Sequence, residues 1–151
     1  MPPDERLALA FSQHVVRLQG TLAQAIAPAL SAHDLTPAEL DVVATLLTTG
    51  EPYRQKPKEL TAHLLLTTGG LSNVLRRLEN RGLVSRVPDP ADRRSNDVRL
   101  TPDGVAVARA ATGAANAALR RLLAEVPAAT LETALHQLGS VLDAVGDTRA
   151  G

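Results

Sequence analysis

The sequence predicts a mainly α-helical protein with one small β-hairpin. Apolar residues recur at intervals of three and four through most of the 151 residues, which is the period of a helix with one buried side. Between Leu83 and Leu100 the pattern changes to two short runs of alternating polarity around a polar loop, which is typical of a hairpin. Apolar residues make up 44% of the chain and charged residues 21%, so we expect a folded globular unit rather than a disordered chain.

Capping signals and helix breakers predict the ends of six helices around this hairpin. Thr36 is a good N-cap before a proline, and Glu39 completes a capping box with it. Pro28 should bend or end the first helix, and Gly82 suits a left-handed C-cap. The expected helices cover residues 4–31, Thr36 to about Gly50, 57–65, Leu71 to Arg81, Thr101 to about Glu125, and the stretch after Pro127.

The first and last helices carry more apolar surface than a chain of this length can cover by itself. Apolar residues form a stripe along residues 7–26 and another from Leu131 to Val145. Leaving both stripes in water would be expensive, so we expect an obligate homodimer. The corresponding division is an N-terminal dimerisation helix at 1–35, a central domain at 36–101 and C-terminal dimerisation helices at 102–151.

The charge is unevenly distributed, although the formal net charge is zero. Residues 54–99 hold ten Lys or Arg against five Asp or Glu, a net +5, whereas 1–53 carry −4 and 100–151 carry −1. A basic block of this kind is the electrostatic footprint that a nucleic-acid backbone requires. A solvated basic surface without a partner would have the same composition, so charge alone leaves both interpretations open.

The centre of the basic block combines a short helix, a glycine-containing turn and a second helix with a polar outer face. The run Thr67-Thr68-Gly69-Gly70 should interrupt the helical pattern at the turn. Asn can bond adenine and Arg can bond guanine at two points in the major groove of DNA. With the adjoining hairpin, this pattern predicts a winged helix-turn-helix fold whose second helix is the recognition helix. The inward positions of that helix are Leu71, Val74, Leu75 and Leu78, and the outward positions are Ser72, Asn73, Arg76 and Arg77.

The motifs in this region resemble those of the MarR family of bacterial transcription regulators. The motifs are Glu59-Leu60, the run from Leu71 to Val84, Arg86, the run from Asp89 to Arg94, and Leu100-Thr101-Pro102-Asp103-Gly104. The resemblance extends from about Leu35 to Gly104 by motif and to the flanking helices by pattern. It implies a homodimer with interleaved terminal helices, a recognition helix in each of two major grooves and a hairpin wing in the minor groove. It also implies repression that a small ligand relieves.

The resemblance assigns roles to individual positions. Thr68, Ser72, Asn73 and Arg77 match the groove-facing positions of the recognition helix. In the wing, Arg94 matches the minor-groove arginine and Asp92 the acid that holds it. The expected partner is double-stranded DNA with a pseudo-palindromic operator. The full candidate set is Thr67, Thr68, Gly69, Ser72, Asn73, Arg76, Arg77, Asp92, Arg93 and Arg94, with Lys56 and Lys58 added for their charge and placement.

The family resemblance also implies a ligand cleft between the first, second and fifth helices. A small aromatic or lipophilic anion is the expected ligand class, with His14 and Arg17 as candidate polar contacts. Two other interpretations remain open for these residues. His14 could instead be a buried, hydrogen-bonded histidine at the dimer interface, and Arg17 could pair with an acid.

Several functional classes are excluded or disfavoured by composition. The absence of Cys excludes disulfides, thiolate chemistry and Cys-ligated zinc, and the four His residues lack metal-binding spacing, so we expect no metal or cofactor. No catalytic constellation is present, which argues against an enzyme. Without a signal peptide or a long apolar run, we expect a cytoplasmic protein that does not contact membranes. The alternative function is a winged-helix module for protein contacts without DNA, which the basic hairpin tip disfavours.

Overall fold

The computed structural model describes residues 2–64 and 66–146, and these form six helices and three short antiparallel strands. The predicted fold class, a mainly α-helical winged helix-turn-helix, is confirmed. The elements in order are α1 (Pro3–Ala32), α2 (Pro37–Thr48), β1 (Arg54–Gln55), α3 (Pro57–His63), α4 (Thr68–Asn80), β2 (Val84–Pro88), β3 (Asn96–Leu100), α5 (Pro102–Leu122) and α6 (Ala128–Ala144).

Helix α1 continues through the proline that was expected to bend or end it. Pro28 lies inside the helix, which runs on to Ala32. The missing N–H of Pro28 costs one hydrogen bond, but the following turn is retained because Ala29 and Leu30 are buried against the core. Tertiary packing therefore outweighs the local penalty of the proline.

Helix α2 begins at the predicted capping box. The Glu39 backbone N–H donates to Thr36 Oγ1 at 3.2 Å, and the Thr36 backbone N–H donates to Glu39 Oε2 at 2.9 Å. Both amides would otherwise lack a partner at the helix start. This arrangement also holds the carboxylate of Glu39 in place. Glu39 is buried, with only 4% of its surface exposed.

The two helices of the helix-turn-helix differ from the prediction at the turn. Helix α3 ends at His63 rather than at 65, and Leu65 lies outside the described residues. The expected interruption at 67–70 is wrong for its last three residues, because Thr68, Gly69 and Gly70 form the first turn of α4. The Gly70 N–H donates to Thr67 Oγ1 at 3.0 Å, so a threonine N-cap starts the helix before the glycines.

Helix α4 ends as predicted. Gly82 has a φ of +69°, and the Leu83 N–H donates to the Leu78 carbonyl at 2.9 Å, which is the pattern of a Schellman C-cap. The chain then turns directly into β2. The left-handed glycine therefore sets the angle between the recognition helix and the hairpin.

The strands form one sheet in the order β1-β3-β2, with all neighbours antiparallel. Val84 pairs with Leu100 and Pro88 with Asn96 in the hairpin, while Arg54 pairs with Arg99 at the other edge. Strand β1 was not predicted, because two residues have no detectable period. It exists because β3 supplies backbone partners for it.

The core lies where the end of α1, helices α2, α3, α4 and α5, and the sheet meet. The largest side chains that are fully buried there are Leu46, Leu60, Leu75, Leu78, Leu100, Val42, Val43 and Val98. The apolar positions predicted for the inner face of α4 are all buried in this cluster. The helix-turn-helix is thus built on one continuous core with α5.

The terminal helices present apolar residues that this core does not cover. Helix α5 ends at Leu122 rather than near Glu125, and none of the residues of α6 is buried in the single chain. Large apolar side chains are exposed on α1, α5, α6 and the turn that follows α6: Leu7, Leu9, Phe11, Val15, Val16, Leu18, Leu122, Leu135, Val141 and Val145. The core includes residues on both sides of positions 35 and 101. The predicted division of the chain into dimerisation and central parts at these positions therefore remains a prediction.

Candidate nucleic-acid interface

The recognition helix α4 has two distinct faces. Its apolar side is in the core, and its opposite side is exposed at Ser72, Asn73, Arg76 and Arg77. The hydrophobic residues are therefore fully explained by packing, whereas the outer face keeps polar groups open to solvent even where its residues also contact one another or Glu39. Such a face has the residue types that read base edges in the major groove.

Two of the outward residues contact each other. Arg76 Nη2 donates to Asn73 Oδ1, one helical turn away. The contact limits the rotation of both side chains, and it leaves the Asn73 amide nitrogen and the other Arg76 donors available. Ser72 and Gly69 are exposed beside them.

Of the two threonines at the start of α4, the structure describes the side chain of Thr67 only. Thr67 is exposed, and its hydroxyl oxygen is used as the N-cap acceptor. Its hydroxyl hydrogen can still donate to a phosphate. The side chain of Thr68 is outside the described part of the structure, so its predicted groove contact remains a prediction.

Arg77 is held by an acid that the sequence did not link to it. Its Nε donates to Glu39 Oε1 at 2.9 Å, across 38 residues of chain. The Arg77 side chain is 53% exposed while that of Glu39 is 5% exposed, so the arginine extends from a buried anchor towards solvent. A local signal predicted Glu39 as a helix cap, but only the packing of α2 on α4 shows its second role.

The start of the wing loop is fixed by a buried carboxylate. We define the wing as residues 84–100, which are β2, β3 and their loop. Asp89 Oδ1 accepts from the Ala91 N–H at 2.9 Å, and Asp89 Oδ2 lies 3.4 Å from Lys56 Nζ. The Ala91 hydrogen bond is the main cause that lowers the pKa of Asp89, and the Lys56 and Arg54 charges lower it further, against the opposing effect of burial. Lys56, predicted as a phosphate contact, therefore also ties α3 to the wing.

The tip of the wing is ordered by a second carboxylate. Asp92 Oδ1 accepts from the Arg94 backbone N–H at 3.0 Å, and the Ser95 N–H donates to the Asp92 carbonyl at 3.0 Å. Asp92 thus holds Arg94 through the Arg94 backbone N–H, in an Asx turn. Because Asp92 lies only two residues before Arg94, its carboxylate reaches that amide. Arg93 and Arg94 are both exposed.

Two further ion pairs at the wing were missed by sequence reasoning. Arg54 Nε lies 2.9 Å from the buried carboxylate of Asp97, and Arg86 Nε lies 3.0 Å from Glu79 Oε1. The first joins β1 to β3 and the second joins β2 to α4. Both pairs neutralise arginines of the basic block. The positive charge of the block is therefore divided between arginines in structural ion pairs and exposed arginines. Lys58 is exposed on α3.

A cleft separates α1, α2 and α5, as the family resemblance implied. It has a volume of about 600 Å³ and a mostly apolar wall. The wall is formed by Val15, Leu18, Gln19, Leu22, Ala23, Ile26, Leu30, Pro37, Asp41, Leu119 and Leu123. This size lies within the range of small-molecule sites.

His14 and Arg17 do not line this cleft, so the structure does not support them as its polar contacts. The ring of His14 turns back along α1, where Nδ1 lies 2.6 Å from the Ala10 carbonyl. Arg17 lies about 100° around the helix from Leu18, away from the cleft. The polar groups at the wall are instead Gln19 and Asp41. Desolvation against the apolar wall raises the pKa of Asp41 above its ordinary value.

The described residues form neither a metal-ligand cluster nor a membrane-spanning helix. No three His, Asp or Glu side chains in that part of the chain come together as metal ligands would. None of the helices described combines the length and apolar character that crossing a bilayer requires.

Helices α2, α3 and α4 with the hairpin define a winged helix-turn-helix protein. A family model described as MarR family matches residues 33–95, which include the whole helix-turn-helix and most of the wing. A structure of a MarR mutant from E. coli complexed with operator DNA is similar to the chain at 26% identity and a TM-score of 0.77, covering 92% of this chain and 96% of that one. These matches show that the chain is similar to MarR-family proteins, in sequence over residues 33–95 and in fold over most of its length.

Curated relatives match a shorter part of the chain. The HTH-type transcriptional regulator PecS of Dickeya dadantii is 34% identical over 84 residues, 56% of this chain and 51% of the relative. The multiple antibiotic resistance protein MarR of Salmonella typhimurium is 36% identical over 78 residues, 52% of each. The chain thus aligns with about half the length of the curated relatives that it matches.

Proposed function

We propose that the protein is a homodimeric, sequence-specific DNA-binding transcription regulator of the MarR type whose DNA affinity responds to a small ligand. The observation that carries this proposal is the outer face of α4, where Ser72, Asn73, Arg76 and Arg77 stand exposed on a helix whose other face is buried. The exposed arginines of the wing add a second cationic contact. The proposed activity is binding in the cytoplasm, without a catalytic step.

The relatives support the DNA part of the proposal. The similar E. coli structure is of a complex with operator DNA, and it covers nearly the whole chain. In this chain the wing is ordered by its own side chains, through the hydrogen bonds of Asp89 and Asp92. A preordered wing reduces the entropy lost on binding, which favours a nucleic-acid contact at its arginine tip.

The test of sequence-specific binding is a selection from a randomised duplex library followed by substitution of Asn73. We expect the wild-type dimer to select a pseudo-palindromic duplex, because two-fold symmetry of the protein imposes it on the site. Asn73→Ala should lose about 1–3 kcal/mol on that duplex and little on a scrambled one. The matched control is Asn80→Ala at the other end of α4, which should bind normally.

Three outcomes would count against this function. Equal losses on both duplexes would show that Asn73 reads no base. Failure of the wild type to enrich any duplex would favour the winged-helix module for protein contacts. A loss for Asn80→Ala as large as that for Asn73→Ala would indicate damage to α4 rather than loss of a base contact.

The cleft supports the ligand part of the proposal, with a change of expected ligand class. The charged residue of its wall is Asp41, whose carboxylate would repel an anion. The sequence had instead suggested His14 and Arg17 as the polar contacts. We therefore propose a neutral lipophilic ligand. Helix α2 contributes Pro37 and Asp41 to the cleft and Glu39 to the contact with α4, so a ligand that shifts α2 would also move the recognition helix.

Benzyl alcohol and benzoate form a matched pair of probes for this cleft, since they share a ring and differ in charge. At millimolar concentration benzyl alcohol should raise Tm by mass action, and benzoate should do so only in Asp41→Asn. Thermal melts at pH 7 make the measurement. A wild-type shift with benzoate but not with benzyl alcohol would exclude a neutral-ligand site.

A further inference from the structure

We infer that Glu39 is a positioning residue that sets the sequence specificity of DNA binding by orienting Arg77. This inference rests on the proposed function and names a residue outside the recognition helix that acts on it. Glu39 lies in the first turn of α2, and it would not touch DNA itself because it is almost completely buried.

The two oxygens of the Glu39 carboxylate have separate tasks. Oε2 accepts from the Thr36 backbone N–H at 2.9 Å, which fixes the carboxylate in the capping box. Oε1 accepts from Arg77 Nε at 2.9 Å. Because the first bond holds the carboxylate still, the second bond holds the arginine in one direction rather than letting it follow a mobile acid.

The contact uses the donor of Arg77 that base recognition needs least. A guanidinium bonds guanine O6 and N7 through two adjacent N–H groups. Glu39 occupies Nε, and no other hydrogen-bond partner of Arg77 is found in the described part of the chain, so the terminal N–H groups remain for a ligand. Since the side chain is 53% exposed, these groups reach solvent on the outer face of α4.

Fixing one rotamer in advance reduces the entropy that Arg77 loses when it binds a base. The orientation of α4 is supported by a second contact to the same part of the chain, because Arg81 Nη2 donates to the His33 carbonyl at 3.0 Å. The two contacts attach the recognition helix to the first turn of α2 and to the segment just before it. Of the two contacts, only that of Glu39 fixes a side chain predicted to face the groove, which is Arg77.

Removing the charge of Glu39 separates positioning from simple electrostatics. A buried acid that only competed with DNA for Arg77 would weaken binding, so its neutralisation would tighten binding to every duplex. A positioning acid has the opposite effect on the cognate site. Neutralisation would then weaken binding to the selected duplex while binding to scrambled DNA stays the same or tightens.

The experiment compares Glu39→Gln with wild type on the selected duplex and on a scrambled duplex of the same length. Gln is neutral and has one acceptor oxygen; when that oxygen stays with the Thr36 N–H in the capping box, the NH2 group faces Arg77 Nε–H, which is also a donor, and the Arg77 contact is lost. We expect affinity for the selected duplex to fall about tenfold with no fall on the scrambled one. The matched control is Thr36→Ala, which removes the other half of the capping box and leaves the carboxylate, and it should keep the ratio of the two affinities even if Tm falls.

A second measurement tests the contact in the free protein. The Arg77 Nε–Hε resonance in nitrogen-15 NMR spectra should be protected from exchange in wild type and in Thr36→Ala, and it should lose this protection in Glu39→Gln. If Glu39→Gln does not fold, Glu39→Asp retains the charge but shortens the reach by one methylene, and it should give the same loss of specificity.

The results that would overturn the inference are distinct from those that overturn the proposed function. A wild-type protein that selects no duplex overturns both. A wild-type protein that selects a duplex, with Glu39→Gln keeping its affinity ratio or tightening on both duplexes, overturns the positioning role alone. An unchanged Arg77 Nε–Hε resonance in Glu39→Gln does the same.

Discussion

At the scale of single residues, the junction between the wing and α5 requires a residue without a side chain at position 104. Gly104 lies in the first turn of α5, where a Cβ would come within 1.8 Å of the Leu83 carbonyl oxygen. The backbone of the segment after α4 therefore packs directly on the start of α5. The Thr101 N–H also donates to this carbonyl at 3.0 Å, which closes the junction.

We expect Gly104→Ala to destabilise the protein by about 1–3 kcal/mol or more, because the carbonyl must move and cannot do so without disturbing the sheet. The measurement is the free energy of unfolding in denaturant. Gly113→Ala on the same helix is the matched control, since nothing lies within 4 Å of its Cβ position. That variant should gain about 0.5–1 kcal/mol in a helix interior. A similar response of both variants would contradict the close approach.

Asp41 gives a residue-scale prediction about pH. Desolvation raises its pKa above the ordinary 3.8, so folding favours the protonated acid. Its favourable contribution is therefore present below pH 3.8 and is lost as pH rises through the folded-state pKa. We expect Asp41→Asn to melt above wild type at pH 7, with the difference closing as pH falls towards that value. A difference in Tm that is independent of pH would exclude a desolvated carboxylate.

At the scale of elements, the wing is an ordered hairpin rather than a flexible loop. The start of its loop is joined to α3 by Asp89 and Lys56, and its strand β2 is joined to α4 by Arg86 and Glu79. Its tip is closed by the Asx turn at Asp92. An arginine on such a frame is held in a limited volume, and the minor groove attracts guanidinium groups.

Arg94→Ala should weaken binding to the selected duplex by about 1–3 kcal/mol, while Tm stays unchanged because Arg94 is exposed. The slope of log affinity against log salt should fall by nearly one per wing, about two per dimer. Anisotropy titrations over a range of salt concentrations measure both. Arg121→Ala, an equal loss of charge on α5, is the control. Wild-type affinity and slope in Arg94→Ala would refute a wing contact with DNA.

Asp92→Ala should give a milder loss of the same kind. The substitution leaves the charge of Arg94 in place but removes the acceptor for its backbone N–H, so the loop can adopt more conformations before binding. The salt slope should therefore remain at the wild-type value while affinity falls. A change in slope without a change in affinity would contradict this account of the tip.

At the scale of the whole molecule, the single chain is incomplete as a folding unit. No residue of α6 is buried, and Leu7 and Leu135 are each 72% exposed. Pairing the apolar stripes of α1 and α6 with those of a second copy would bury this surface. Burial of apolar surface stabilises a fold by about 25 cal/mol per Å². This is the physical basis of the proposed homodimer.

We expect a dimer at micromolar concentration in light scattering, and a Tm that rises with protein concentration. Leu135→Glu should shift the equilibrium towards monomer and lower Tm, since it places a charge in the proposed interface. Gln137→Glu adds the same charge on α6 at a position without an apolar side chain and should leave the dimer intact. A folded, monodisperse wild-type monomer would contradict the proposal.

Local signals predicted most of the elements and the faces of the recognition helix. The Thr36 capping box, the Gly82 C-cap and the apolar spacing of α4 each depend on residues within a few positions, so the sequence by itself determined them. The motifs around the wing likewise predicted the fold class and the exposed arginines at its tip. These features need no knowledge of which segments meet.

Tertiary structure alone decided which groups are paired and which remain available. Strand β1, the continuation of α1 through Pro28 and the cleft wall without His14 or Arg17 all depend on contacts between distant segments. The bond between Glu39 and Arg77 is the clearest case, because 38 residues separate a helix cap from a recognition residue. Capping depends on backbone geometry over one turn, whereas ion pairing depends on the packing of two helices, and only the folded core brings α2 and α4 together.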